Sequence, residues 1–371
     1  MNPGLRRTTS SGVLTAYICI ACSGSLADAA GEDLPRRANA PIENYANADV
    51  IYDSVRDNRG ERVRVIVTRP RAGGGSYPAI FVAGWLSCDS VEAPASTDDA
   101  SGKVFRVLAE LPGLATVRMD KPGVGDSEGV CKETDFDTEL SAYRTAFRHL
   151  SRYPFIDKNN VFVFGISNGG GFAPLVAEDV PLRGYVIDGG WVKTWFEHMM
   201  EIERRRFELS GKAADQVNEL MRSTARLYEA YLIEGQRPAD ILARHPELRP
   251  AWAGDDDNHL YGRPIEFYQQ LQRLNLEQLW SKVRAPTLVL HGQYDWIMSR
   301  DDHERIASLV NRDLPGRAQF VELPATGHTF EHYPDLHAAF EFKASAFDPG
   351  NAQMIGKWIQ NQRSHERSST E

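Results

Sequence analysis

The chain has 371 residues, of which 42% are hydrophobic, enough for a substantial core in one large α/β domain or two smaller ones, and this excludes a disordered polypeptide. The formal net charge of -9 is spread without a long run of one sign. There is no basic stripe for a nucleic-acid surface, and an ordinary soluble protein is expected.

Residues 1–29 differ from the rest. Arg6 and Arg7 precede the largely uncharged stretch SSGVLTAYICIACSGSLADAA, which ends in small residues, the layout of a secretory signal. An Ala-x-Ala site at Ala27 and Ala29 predicts cleavage after Ala29 and a secreted or periplasmic mature chain beginning near Ala30. The apolar part, Val13 to Cys22, is about half the length a bilayer span needs. No later apolar run approaches that length. A lipid anchor at Cys22 is the alternative, although Cys19 stands where a leucine-like residue is expected.

From residue 50 the segments VIYDSVR (50–56) and RVRVIVTRP (62–70) alternate around DNRG, a hairpin signature. Then follow PAIFVAG (78–84), ATVRMD (115–120), VFVFGIS (161–167), GYVIDGG (184–190), PTLVLHG (286–292) and QFVELP (319–324). These short, nearly continuous apolar runs predict strands covered on both faces, hence a mostly parallel eight-stranded sheet. Helical stretches separate them, as in TDFDTELSAYRTAFRHLS, where Leu140, Tyr143, Phe147 and Leu150 fall at helix spacing. The alternation predicts a doubly wound α/β fold with its site at the carboxyl ends of the strands. Residues 192–282 break it with helical periodicity and no credible strand, so a helical cap is expected after the sixth strand. The predicted organisation is core (30–191), cap (192–282), core (283–365) and a polar tail (366–371).

Two segments carry Gly-x-Ser-x-Gly: VFVFGISNGGG around Ser167 and GVGDSEG around Ser127. The spacing alone is weak, and context separates them. Ser167 lies where an apolar strand turns directly into a helix, flanked by Gly165 and Gly169, which have no side chains to clash there. Ser127 follows a Pro- and Gly-rich loop and precedes a polar segment with no helix start. A serine hydroxyl needs a histidine base oriented by a carboxylate. After PTLVLHG comes Asp295; after QFVELP comes His328, behind a glycine. Asp301 and Asp302 are rival acids that read better as charges at a helix start, and His332 and His337 are rival bases that read better as surface positions. Two oxyanion donors are also required. The amide of Asn168, after the nucleophile, is one candidate; the amide of Trp85, after Gly84, is the other, unless that amide merely closes the turn.

Taken together, the elbow GISNGG, the loop after the third strand, MDKPGVGDSEG after the fourth, QYD and TGH resemble the α/β-hydrolase superfamily with an inserted cap, over residues 50–365. The resemblance implies Ser167 as nucleophile, Asp295 as acid and His328 as base. It also implies a structural role for the Pro-Gly-x-Gly-x-Ser loop that holds Ser127. The His-Gly-Gly-Gly signature of one esterase branch is replaced by Ala83-Gly84-Trp85, and serine at the elbow argues against dehalogenase and epoxide hydrolase chemistry.

The expectation is a serine hydrolase of carboxylic esters acting through an acyl-enzyme, with no metal or organic cofactor. Within the fold the alternatives are an aminopeptidase or prolyl-peptidase-like enzyme and a thioesterase. Glu201 and Glu203 could hold a substrate amine or belong to a solvated face beside Arg204, Arg205 and Arg206. A non-catalytic binding module is the reading from a different class; it has no need of all three triad residues. Trp191, Trp195, Phe196, Met199 and Met200 are expected to line an acyl pocket, although their spacing would equally serve a cap core. The expected partner is a small ester or short peptide-like substrate; the sequence carries no signal of oligomeric state. With Cys19 and Cys22 in the signal, Cys88 and Cys131 remain, and an oxidising compartment makes them a disulfide candidate. In the fold this chain resembles, the strands preceding them are neighbours; two free thiols are the alternative.

Overall fold

The computed structural model describes residues 34–37, 40–178, 180–343 and 346–367. The signal stretch and the last four residues of the polar tail lie outside them. The strands among the described residues are β1 (Ala48–Arg56), β2 (Arg62–Pro70), β3 (Tyr77–Ala83), β4 (Ala115–Met119), β5 (Ile156–Ile166), β6 (Gly184–Asp188), β7 (His259–Leu260), β8 (Arg263–Pro264), β9 (Thr287–Gly292), β10 (Ala318–Leu323), β11 (Glu331–His332) and β12 (Ala346–Phe347). Eight of them form one sheet in the order β1-β2-β4-β3-β5-β6-β9-β10. β2 runs antiparallel to β1 and β4, and every other pairing is parallel. All eight sheet strands foreseen from the apolar runs are present. β5 starts earlier than its apolar run, at Ile156, through a polar stretch half open to solvent.

Helices cover both faces, which is why β3 and β4 are buried at every position. One face, with Phe81, Val163 and Val289, packs under α2 (Phe136–His149) and α3 (Asn168–Val176). The other, with Ile80, Val82, Phe162 and Leu290, packs on α1 (Ala100–Ala109) and the C-terminal helix. Side chains alternate between faces along a strand, so each of these strands must be apolar throughout.

Between β6 and β9 lie α4 (Trp195–Leu209), α5 (Ala214–Tyr228), α6 (Pro238–Arg244), α7 (Ile265–Gln272) and α8 (Leu276–Ser281). α4 opens with a capping box: Thr194 Oγ1 accepts from the Glu197 amide and the Glu197 carboxylate accepts from the Thr194 amide. The expectation that residues 192–282 hold no strand is corrected by the hairpin of β7 and β8. Its turn is Tyr261-Gly262, both with positive φ (49° and 72°), and two residues a side are too few to show alternation. After β9 comes α9 (Arg300–Asn311). No helix among the described residues is long and apolar enough to cross a membrane.

Candidate active site

β5 ends and α3 begins across Ser167, whose φ of 56° and ψ of -122° put a non-glycine residue in a strained conformation. A Cβ at Gly165 would lie 2.6 Å from the Gly169 carbonyl oxygen, and one at Gly169 would lie 2.2 Å from that of Ala83. Both positions must therefore be glycine for β3, β5 and α3 to pack this closely.

Around Ser167 the structure gathers residues distant in the chain. His328 Nε2 lies 2.8 Å from Ser167 Oγ, and His328 Nδ1 lies 2.8 Å from Asp295 Oδ2. Asp295 Oδ1 accepts from the Ile297 and Met298 amides, each at 2.9 Å. Burial alone would raise the Asp295 carboxyl, but His328 and these hydrogen bonds hold it down to about 2. Burial alone would likewise lower the His328 imidazole; the Asp295 carboxylate outweighs it and raises the ring above its usual value. With that carboxylate accepting from Nδ1–H, Nε2 is left to accept the serine proton.

The rival residues are engaged elsewhere. Asp302 is buried and accepts from the Val192 and Lys193 amides at 2.9 and 3.1 Å, tying the start of the cap to α9. Asp301 pairs with Lys193, His332 pairs through its backbone with Thr326, and His337 is exposed beside Glu341. Ser127 is buried; its Oγ accepts from the Arg64 amide at 2.8 Å and donates to the Asp120 carbonyl at 3.0 Å, tying β2 to the loop after β4. Asp188, which sequence reasoning passed over, ends β6 with its carboxyl pushed well up by burial and then by the charges of Asp295 and Glu331.

The loop after β3 is held from several sides. The Gly84 amide donates to Tyr143 Oη at 3.0 Å, and its carbonyl accepts from the Gly169 amide at 3.0 Å. Lys121 Nζ donates to the carbonyls of Trp85 and Ser87. Cys88 and Cys131 form a disulfide with a Cα–Cα distance of 6.0 Å, joining this loop to the one after β4.

Trp85, Ser167, Asn168 and His328 share the wall of a cavity of about 710 Å³. Its roof is one face of α4, where Trp195, His198, Ile202 and Arg206 follow one another at three- and four-residue spacing. Of the five residues expected to line a pocket, only Trp195 does so. Trp191 is fully buried, and its Nε1 donates to the Asn168 carbonyl at 3.2 Å. Met199 is enclosed in the core, while Phe196 and Met200 fall off the cavity stripe and pack against the core from its edge. His198, Ile202 and Arg206 were missed because a histidine and an arginine interrupt the apolar pattern; counting forward from Trp195 at helix spacing would have found them.

Neither cap glutamate lines the cavity. Glu203 is fully buried rather than solvated, accepting from Arg206 Nε at 2.8 Å, and burial raises its carboxyl. Glu201 pairs with Lys193 and Arg205. A second cavity, of about 680 Å³, lies at the opposite end of β6 and β9 by Tyr185 and Pro286 and contains none of these groups.

Residues 99–335, more than half of the chain, match the family model described as "Serine aminopeptidase, S33". The chain belongs to this family. Solved structures agree on the fold of this S33-family chain. Est1E from Butyrivibrio proteoclasticus, with ferulic acid bound, is 15% identical, covering 85% of this chain and 99% of that one at a TM-score of 0.52. An esterase of Pyrococcus furiosus is 11% identical, with coverage of 88% and 99% and a TM-score of 0.50. A hypothetical protein from Pseudomonas aeruginosa is 16% identical, with coverage of 87% and 97% and a TM-score of 0.50. At these identities the likeness is one of fold, and the S33-family chain is an α/β hydrolase with helices inserted between β6 and β9. No match is found among curated proteins.

Proposed function

We propose that the protein is a serine carboxylesterase: it cleaves small carboxylic esters through an acyl-enzyme on Ser167. The observation that carries this reading is the unbroken chain of 2.8 Å hydrogen bonds from Ser167 through His328 to Asp295, opening on the 710 Å³ cavity. In the first step Ser167 Oγ adds to the ester carbonyl while its proton passes to His328 Nε2. The carbonyl oxygen becomes an oxyanion, held by the amides of Trp85 and Asn168, each contributing about 10²–10³ in rate if it acts as such donors do elsewhere. Collapse breaks the bond to the alcohol oxygen, which leaves with the proton from His328. Water then adds to the acyl-enzyme, giving its proton to His328; the second collapse frees the acid and returns the proton to Ser167. Asp295 keeps the imidazole in the productive tautomer and stabilises its cationic form.

The family description favours a second reading, an aminopeptidase. A substrate ammonium needs a carboxylate free to meet it, yet neither Glu201 nor Glu203 lines the cavity, Glu201 pairing with Lys193 and Glu203 with Arg206. The acidic groups that do line the cavity accept from neutral donors, Asp89 from Ser87, Asp99 from Thr97 and the Gly102 amide, and Glu331 from Thr329, and so keep their charge. The anilide arm of the assay below decides whether one of them meets an ammonium. Esters are favoured because both cap glutamates that the aminopeptidase reading invokes are paired with cations of the protein, in keeping with proteins of the same fold that are described as esterases. A non-catalytic binding role is disfavoured because binding alone requires no such alignment of three groups. The protein is further read as secreted or periplasmic, and the Cys88–Cys131 disulfide supports an oxidising compartment.

A panel of p-nitrophenyl esters beside aminoacyl anilides, run on the wild type and Ser167→Ala, tests the reading. Ester turnover lost in the variant is the expected result; turnover of anilides but not esters would make it a peptidase.

A further inference from the structure

Two polar atoms on the α4 roof have no hydrogen-bond partner among the described residues: Nε1 of Trp195 and Nδ1 of His198. Both residues are 2% exposed, and their ring centroids lie 4.7 Å apart. A third residue, Asn168, follows the nucleophile directly; it is fully buried, and both its Nδ2 and its Oδ1 are unpartnered. All three residues line the cavity with Ser167 and His328. Buried polar groups are nearly always paired, because leaving one unpaired is costly. Three such residues border one cavity, Asn168 from α3 and the other two from the α4 roof, and a ligand group seated against them, with small side-chain rotations, would complete them.

The chemistry of the three narrows that group. Trp195 Nε1–H can only donate, while the Asn168 side chain both donates and accepts. His198 is uncharged at neutral pH: burial lowers its ring to about 3, and Arg205 and then His328 push the same way. A neutral imidazole donates from one nitrogen and accepts at the other. These three residues therefore present no cation to an anionic substituent; Arg206, further along α4, is taken up by Glu203. A hydroxyl can do both things asked of it, accepting from Trp195 or Asn168 and donating to His198 or Asn168. Because Asn168 adjoins Ser167, such a hydroxyl would lie within a few bonds of the reacting carbonyl.

We propose that Asn168, Trp195 and His198 form a polar subsite for a hydroxyl group on the substrate, so that the enzyme selects hydroxylated esters over plain alkyl ones. The proposal rests on the ester-hydrolase reading above.

Two substrate pairs test it and distinguish the side of the ester that carries the hydroxyl: p-nitrophenyl 3-hydroxybutyrate against p-nitrophenyl butyrate, and glyceryl monobutyrate against propyl butyrate. The wild type should prefer the hydroxylated member of one pair in kcat/KM by about two- to tenfold, what one net hydrogen bond gives. His198→Phe should bring that ratio close to one, and His198→Gln, which keeps a hydrogen-bonding amide, should retain part of it. Melting and fluorophosphonate labelling check that His198→Phe is folded; Trp195→Phe carries the same comparison if it is not. Wild-type ratios near one in both pairs, or a ratio unmoved by the variants, overturn the subsite. If Ser167→Ala abolishes turnover while the ratios stay flat, only the subsite fails; turnover surviving Ser167→Ala overturns the underlying reading.

Discussion

Removing the Cys88–Cys131 disulfide by the double substitution Cys88→Ser and Cys131→Ser should act chiefly on stability. The two residues are 43 apart in sequence. Opening a closed loop of that length returns chain entropy to the unfolded state, a loss of about 4 kcal/mol in stability. With an unfolding entropy of roughly 2.1 cal/mol/K per residue, that corresponds to a drop in Tm of about 5 °C for a chain of this size. The effect on turnover should be smaller, because the loop after β3 keeps its other ties: Lys121 to the Trp85 and Ser87 carbonyls, and Tyr143 to the Gly84 amide. The cap should feel the change as well, since Arg263, from β8, donates to the Cys131 carbonyl at 3.1 Å. Scanning calorimetry of wild type and variant gives the Tm difference, and non-reducing mass spectrometry establishes that the wild-type cysteines are linked. An unchanged Tm, or quantitative alkylation of both thiols without reductant, would refute the reasoning.

Asp295→Asn should move the pH profile as well as the rate. Catalysis needs neutral His328, and Asp295 raises that imidazole above its usual value, so activity falls away on the acid side at a higher pH than for an ordinary histidine. Without the carboxylate that acid limb should shift to lower pH while kcat drops, by about 10⁴-fold where the comparable exchange is known; an unshifted limb would point to another acid. Gly189→Ala should damage the same ring, because a Cβ there would sit 2.7 Å from His328 Cε1 at a φ of +59°. A displacement approaching 1 Å lowers kcat by about 10²-fold, and steady-state kinetics with wild-type turnover would contradict the placement of His328. Ser127→Ala should do the reverse, leaving turnover per folded molecule unchanged. It leaves the Arg64 amide without its buried acceptor, at a cost of about 1–3 kcal/mol by urea denaturation.

The sheet was readable in advance because strands buried on both faces must be apolar at every position, as VFVFG of β5 is. Ser167 stood out from Ser127 for a local reason: only the former joins a strand to a helix, and the strained turn has a sequence signature. Asp295 and His328 were readable because their positions follow strands, so topology does the work. The cavity roof was not. It depends on which face of α4 points down, and that is decided by packing against the segment after β6 and against α7, where Trp191 and Trp195 meet at 4.9 Å and Trp195 meets Tyr268 at 5.5 Å. Glu203 misled for a related reason. It sits beside Arg204, Arg205 and Arg206 and reads as solvated, yet it is buried with Arg206 as its partner. Two-residue strands such as β7 and β8 have no periodicity to detect, and their turn became visible only through the positive φ of Tyr261 and Gly262.

The most direct test of the central claim is to trap the acyl-enzyme. A p-nitrophenyl ester reaction quenched in acid during the first turnovers, digested and analysed by mass spectrometry, should place the acyl mass on the peptide containing Ser167, with none in Ser167→Ala. An acyl mass on another residue, or steady turnover in Ser167→Ala, would contradict the account.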